Sequence, residues 1–303
     1  MTVLRTHNLT KRYSGRAAVD SLSITVEKGD IYGLIGQNGA GKTTLMRLVT
    51  SLALPDAGEI ELFGETSRAR LNDARARIGC VVETPALFPN LTAAQNLEYY
   101  RVQRGIADAS TVQKSLELVR LDDTGSKKFR NFSLGMKQRL GLALAILNNP
   151  EFIMLDEPIN GLDPTGIIEM RDLMKRLNEQ GITLLVSSHI LTELSQIATK
   201  YAIIHMGRLV RNITQEQLRE ECKRALSITV DDVGKAVSIF ETVLRIHDYK
   251  RTSANELRVY AYLDDPAEVA FRLVSGGVRV SSMYEVGDSL EDFYTKTIGG
   301  MLQ

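Results

Sequence analysis

The chain has 303 residues, 44% of them hydrophobic and 24% charged, a balance that fits a globular protein with a sizeable core and excludes a disordered or collagen-like one. Lysine plus arginine equals aspartate plus glutamate at 37 each, so the net charge is zero, which argues against bulk electrostatic capture of nucleic acid. Two cysteines, Cys80 and Cys222, lie far apart in no metal-like spacing, which excludes a disulfide framework and leaves each the role of a small buried apolar residue in a reducing compartment.

The N-terminus "MTVLRTHNLTKRY" lacks the apolar centre of a signal peptide, and no apolar run approaches the roughly 18 residues needed to cross a bilayer. The first elements are short alternating strands, "VLRTHNL" and "LSITVEKGDIYGLIG". The last of these runs directly into "GQNGAGKTT", Gly36 to Thr44, which matches G-x-x-x-x-G-K-[ST] between a strand and a helix. Gly36, Gly39 and Gly41 let the backbone curl, and Asn38 and Ala40 lie between them, so that successive N–H groups face a chain of phosphates. Lys42 adds a full positive charge at the β/γ-phosphates, and Thr43 offers a hydroxyl to Mg²⁺, with Thr44 beside it in the first helical turn. Leu45, Leu48, Val49 and Leu52 then recur at helical spacing on one face. Tyr13, in "KRY", offers a ring for stacking on adenine.

Further along, "EIELFG" and "RIGCVVE" read as strands, the second as a continuous buried run ending at Glu83. Residues 90–150 form a helical lobe with polar loops and broken periodicity, closing on "NFSLGMKQRLGLALAIL". Ser133 is a good N-cap for that helix, yet Gly135 sits in its first turn, where glycine is a poor helix former. "FIMLDEP" is a buried strand with Asp156 and Glu157 at its C-terminal end, the end where open α/β sheets collect ligands. Asp156 is suited to hold Mg²⁺ and Glu157 to take a proton from an attacking water. A helix over 165–180 leads to "ITLLVSSH", a third buried strand, whose terminal His189 is placed to contact a γ-phosphate. "YAIIHMGRLV" reads as a hairpin. Beyond a helical connector, "TQEQLREECKR", short strands and helices alternate over 216–303, a plausible separate α+β domain.

The order of phosphate loop, Ser-x-Gly helix start, "LDEP", "GLDP" and strand-end His resembles the nucleotide-binding subunit of an ATP-binding-cassette (ABC) transporter over residues 1–215. The resemblance implies an α/β fold of P-loop NTPase type: a mainly parallel sheet core, an antiparallel β part and the helical lobe, here followed by the small α+β domain. It also implies a mechanism in which two cassettes close on two ATP molecules, each ATP lying between one chain's phosphate loop and the other chain's signature helix. "FSLGM" stands where most of the family has Leu-Ser-Gly-Gly-Gln, and Ser133 and Gly135 keep the hydroxyl and the close backbone approach toward ATP. Asp163, in "NGLDP", resembles the loop that couples the two sites. Where the family usually carries Gln, this chain carries Glu83, which keeps an oxygen ligand for Mg²⁺ but adds a charge. With "SLGMKQR" and "ALFPNLT", Glu83 makes the chain similar to ATPases of bacitracin- and lantibiotic-exporting systems.

The resemblance leads to the expectation of a Mg²⁺-dependent ATPase at the cytoplasmic face of a bacterial membrane. Such a protein powers export of a peptide antibiotic, drug or lipid-like cargo through a separate integral-membrane permease, as a pair of identical ATPase chains and without nucleic acid. The competing readings are weaker. A translation-type soluble ABC ATPase would carry two phosphate loops, a DNA-repair type a long coiled coil, and a P-loop kinase leaves Ser133, Gly135 and "GLDP" unexplained.

Overall fold

The computed structural model describes residues 1–83, 87–287 and 290–299, so Thr84, Pro85 and Ala86 of the loop after Glu83 lie outside it, as do Asp288, Ser289 and 300–303 at the C-terminal end. The chain divides into two compact units, Met1–Gln215 and Glu216–Gln303.

The first unit opens with antiparallel strands β1 (Thr2–Tyr13), β2 (Arg16–Leu22) and β3 (Thr25–Glu27), and β1 also pairs with β5 (Ala57–Leu62). β1 is longer than "VLRTHNL", and β2, "RAAVDSL", escapes the sequence reading because its small and polar residues show little alternation. Against this sheet stands a six-stranded one. It contains β4 (Ile31–Ile35), β6 (Ile78–Val81), β7 (Phe152–Leu155), β8 (Thr183–Ser188), β9 (Lys200–His205) and β10 (Arg208–Thr214), in the order β10-β9-β4-β8-β7-β6. All neighbours are parallel except β9 and β10, which form the hairpin through Met206 and Gly207, both at positive φ. β4, β7 and β8 are buried at every position because both faces of the sheet are covered.

β6 differs. It is the edge strand, so its residues alternate between buried and open, and Cys80 is exposed rather than buried. Cys222 is half-buried, so neither thiol fills a core position. One core cluster joins residues of both sheets through helix α1 (Lys42–Val49), which contributes Leu45, Met46, Leu48 and Val49. Burying a leucine such as Leu45 contributes ~1.5–3 kcal/mol. Leu52 does not share that face; it lies beyond the helix and is 68% exposed.

After α2 (Arg68–Arg75) the helical lobe comprises α3 (Ala93–Gln103), α4 (Ser110–Leu118) and α5 (Leu134–Ile146), which contact one another, with α5 also lying on β6. Thr92 and Gln95 form a reciprocal capping box at the start of α3. Gly79 lets α5 approach, since a Cβ there would lie 2.3 Å from the Ala145 carbonyl oxygen. Helix α6 (Pro164–Glu179) connects β7 to β8, and the short α7 (Leu191–Leu194) follows β8.

The second unit begins within α8 (Gln215–Glu221). Strands β11 (Ala225–Val230), β12 (Tyr249–Arg251), β13 (Glu256–Val259) and β14 (Val280–Val286) form an antiparallel sheet in the order β12-β13-β11-β14. Helices α9 (Val233–Ile239) and α10 (Pro266–Ser275) supply Ala236, Ile239, Val269 and Leu273 to a core with Ile228, Leu257 and Val259, and α11 (Leu290–Gly299) ends the described chain.

Candidate active site

Three neighbouring parallel strands, β4, β8 and β7, end at the same edge of the central sheet, and each delivers one part of the site. β4 runs into the glycine loop. At Gly41 φ is 107°, and a Cβ would lie 2.3 Å from the Ala18 carbonyl oxygen, so no other residue fits where α1 begins. At Gly36 a Cβ would meet the Ile204 carbonyl oxygen at 2.5 Å. Asn38 and Gly39 are exposed at the loop's tip, and Ala40 tucks under it, its carbonyl accepting from the Gly207 N–H at 2.9 Å. No side chain caps α1, which leaves its first N–H groups free for an anion. Lys42 is buried, and its Nζ donates to the carbonyl oxygens of Gly36 at 2.6 Å and Gln37 at 3.3 Å. Thr44 is half-buried in the same turn.

β7 delivers the carboxylates. In an extended strand Asp156 and Glu157 would point to opposite sides. Glu157 instead adopts a left-handed φ of 49°, which turns both toward the loop. Asp156 Oδ2 accepts from Thr43 Oγ1 at 2.7 Å. Glu157 Oε1 lies 3.1 Å from Lys42 Nζ, and its Oε2 is 2.8 Å from His189 Nδ1 at the end of β8. A carboxylate only accepts, so Nδ1 carries the proton of that bond.

Sequence reasoning misses one member of this cluster, Ser187. It is fully buried. Its hydroxyl donates to Asp156 Oδ1 at 2.6 Å and accepts from the Glu157 N–H at 2.8 Å, tying both acidic residues to β8. The available signal is the Ser-Ser pair that ends the otherwise apolar run "TLLVSSH".

The Thr43 hydroxyl and Asp156 carboxylate form an all-oxygen pair. Hard divalent cations take such donors, and Mg²⁺ commonly binds one or two carboxylates while phosphates and water complete its shell. Glu83, with a left-handed φ of 63°, is ion-paired with Arg47 of α1. Tyr13 is exposed at the end of β1, with Lys11 Nζ 5.5 Å from its ring centroid.

The remaining expected residues gather elsewhere. Ser133 caps α5, its Oγ accepting from the Met136 N–H at 3.3 Å, and Asp163 caps α6, its Oδ1 accepting from the Gly166 N–H at 3.2 Å. The two segments are neighbours, since a Cβ at Gly161 would lie 3.0 Å from Leu134 Cδ2 and one at Gly135 3.7 Å from Leu162 Cδ2. Among the described residues no hydrogen bond or ion pair joins Ser133, Gly135 or Asp163 to the glycine loop. Within one chain the expected residues thus fall into two groups, the glycine loop with its carboxylates and the start of α5 with that of α6.

The model of the ABC transporter family matches residues 19–160. The bacitracin transport ATP-binding protein BcrA of Bacillus licheniformis is 42% identical over 300 residues, 99% of this chain and 98% of that one. The lantibiotic transport ATP-binding protein SrtF of Streptococcus pyogenes is 38% identical over 209 residues, 69% of this chain and 89% of that one. A solved structure of an ATP-binding subunit of an ABC transporter superposes with a TM-score of 0.64 at 28% identity, covering 72% of this chain and 92% of that one.

Proposed function

The chain belongs to the ABC transporter family as an ATP-binding subunit that hydrolyses ATP, and from that premise we propose that two copies of it drive export of a peptide antibiotic, drug or lipid-like cargo through a separate integral-membrane permease. The observation that carries this reading is the split site. Lys42, Asp156, Glu157 and His189 converge at three strand ends, whereas Ser133 is exposed and Gly135 half-buried at the start of another helix, where Ser133 does no more than cap its own first turn. A second chain's helix start, presenting Ser133 and Gly135 to the first chain's phosphate loop, completes the constellation.

Each residue then has one task. The glycine loop and α1 hold the phosphates with backbone N–H groups, Lys42 adds charge, and Tyr13 stacks on the base. Thr43 and Asp156 would hold Mg²⁺, with Glu83 as a further oxygen donor; when bound, the ion neutralises charge on the transferred phosphoryl group. Glu157 accepts the proton of the attacking water, and His189, hydrogen-bonded to it, orients that carboxylate and faces the γ-phosphate. Asp163 couples one site to the other. ATP must favour the closed pair strongly over the open one to switch the permease, because a ligand shifts an equilibrium only by its differential affinity.

No helix among the described residues is long and apolar enough to cross a membrane. In the proposed assembly the permease supplies the span, and the chain works at the cytoplasmic face of a bacterial membrane. The unit Glu216–Gln303 is an accessory domain. Pull-down from membranes with Glu157→Gln, held on ATP, tests the reading: recovery of a multi-span protein supports transport, and recovery of ribosomes or DNA overturns it.

A further inference from the structure

Arg47 lies one helical turn after Thr43 on α1, so the two share a face of the helix. Thr43 meets Asp156 at the end of β7, and Arg47 meets Glu83 just past the end of the adjacent β6. The two strand ends are in register: Val81 pairs with Leu155, and the Asp156 N–H donates to the Val81 carbonyl at 2.9 Å. One face of one helix thus presents a hydroxyl and a guanidinium to two neighbouring carboxylates. Arg47 is 39% and Glu83 58% exposed as side chains, so their ion pair is made partly in solvent and is readily exchanged.

We propose that Arg47 is a positioning residue for Glu83: its guanidinium is the alternative partner of that carboxylate, which is exchanged between Arg47 and a Mg²⁺ held by Thr43 and Asp156. This rests on the reading of Glu83 as a metal-site oxygen donor. A glutamine at position 83 has no charge to pair with Arg47, so the exchange is a property of this Glu–Arg combination. The pair acts as a brake on metal binding, because every Glu83 carboxylate that joins the metal must first leave the guanidinium.

The test measures binding of a fluorescent ATP analogue to the full chain as Mg²⁺ is titrated, in wild type, Arg47→Gln, Glu83→Gln and the double variant. Arg47→Gln lowers the Mg²⁺ midpoint about two- to fivefold, the range of a partly exposed ion pair. Removing a positive charge near the metal would by itself favour Mg²⁺, so the double variant decides: the shift from Arg47→Gln disappears when residue 83 is Gln. Arg47→Lys keeps the charge and the wild-type midpoint, which separates the exchange from damage to α1. An equal shift in both backgrounds, or none with Glu83 intact, overturns the proposal. If Glu83→Gln alone leaves the midpoint unchanged, the metal reading of Glu83 fails and the exchange with it; if Glu83→Gln moves it and Arg47→Gln does not, only the exchange fails.

Discussion

Lys42 Nζ lies 3.1 Å from Glu157 Oε1, so the lysine of the phosphate loop and the carboxylate after β7 neutralise each other across the site. A triphosphate that takes up the Lys42 ammonium removes the counterion of Glu157 and leaves that carboxylate to His189 and to water. In the proposed roles, nucleotide binding by Lys42 and activation of Glu157 as base are thereby linked through one ammonium group. Glu157→Gln should keep ATP binding and lose hydrolysis by ~10²–10⁴-fold, the range of a missing general base. Lys42→Ala should lose binding itself. Phosphate release and fluorescent-nucleotide titration on both variants check this, and hydrolysis by Glu157→Gln within tenfold of wild type would remove Glu157 from its role.

Ser187 predicts a different pattern, because it is fully buried and bonded to both carboxylate-bearing residues. Ser187→Ala takes a donor from Asp156 Oδ1 and leaves the Glu157 N–H without its acceptor. A buried polar group left unpaired costs ~1–3 kcal/mol, so urea unfolding should register a loss of that order. The displaced Asp156 should also raise the Mg²⁺ concentration needed for half-maximal ATPase. A variant that loses stability while its Mg²⁺ dependence stays put would make Ser187 purely structural.

Gly135 separates what the chain needs to fold from what it needs to work. A Cβ there would meet only Leu162 Cδ2, at an ordinary 3.7 Å, so the fold leaves room for alanine. Replacing a helical glycine by alanine stabilises by up to ~1 kcal/mol. Gly135→Ala should thus melt at or slightly above the wild-type temperature, yet lose ATPase by at least an order of magnitude, since in the proposed pair of chains the added methyl would face the second chain's nucleotide. Wild-type specific activity should also rise with protein concentration. A fully active Gly135→Ala protein would show that nothing approaches this helix start closely.

Much of this site is legible in the residues alone where one motif occupies one strand end. "GQNGAGKTT", "LDEP" and "SSH" each sit on a single strand terminus, and the apolar runs before them announce fully buried parallel strands. What stays hidden depends on pairing across the chain. Ser187 looks like an ordinary strand end until β8 lies beside β7. Glu83 is separated by 36 positions from Arg47, and no spacing rule joins a helix residue to a strand end that far away. β6 reads as buried because its composition is apolar, but its place at the edge of the sheet is a topological fact, and Cys80 is exposed as a result. β2 is missed because its pairing with β1, not its own alternation, makes it a strand.

The two units make a last prediction about stability. The residues proposed to hold the nucleotide all belong to Met1–Gln215, and the second unit has its own core around the fully buried Phe240. A ligand stabilises only the cooperative unit that binds it, by ~2.7 kcal/mol at a hundred times its dissociation constant, or roughly 5–10 °C for a domain of this size. Calorimetry should therefore resolve two transitions, of which MgATP raises one. Phe240→Ala, which opens a cavity costing ~3–5 kcal/mol, should lower the other and leave the ATP-sensitive transition in place. If Phe240→Ala lowers both transitions together, or MgATP raises both, the units unfold as one cooperative body and the second cannot be treated as an independent accessory domain.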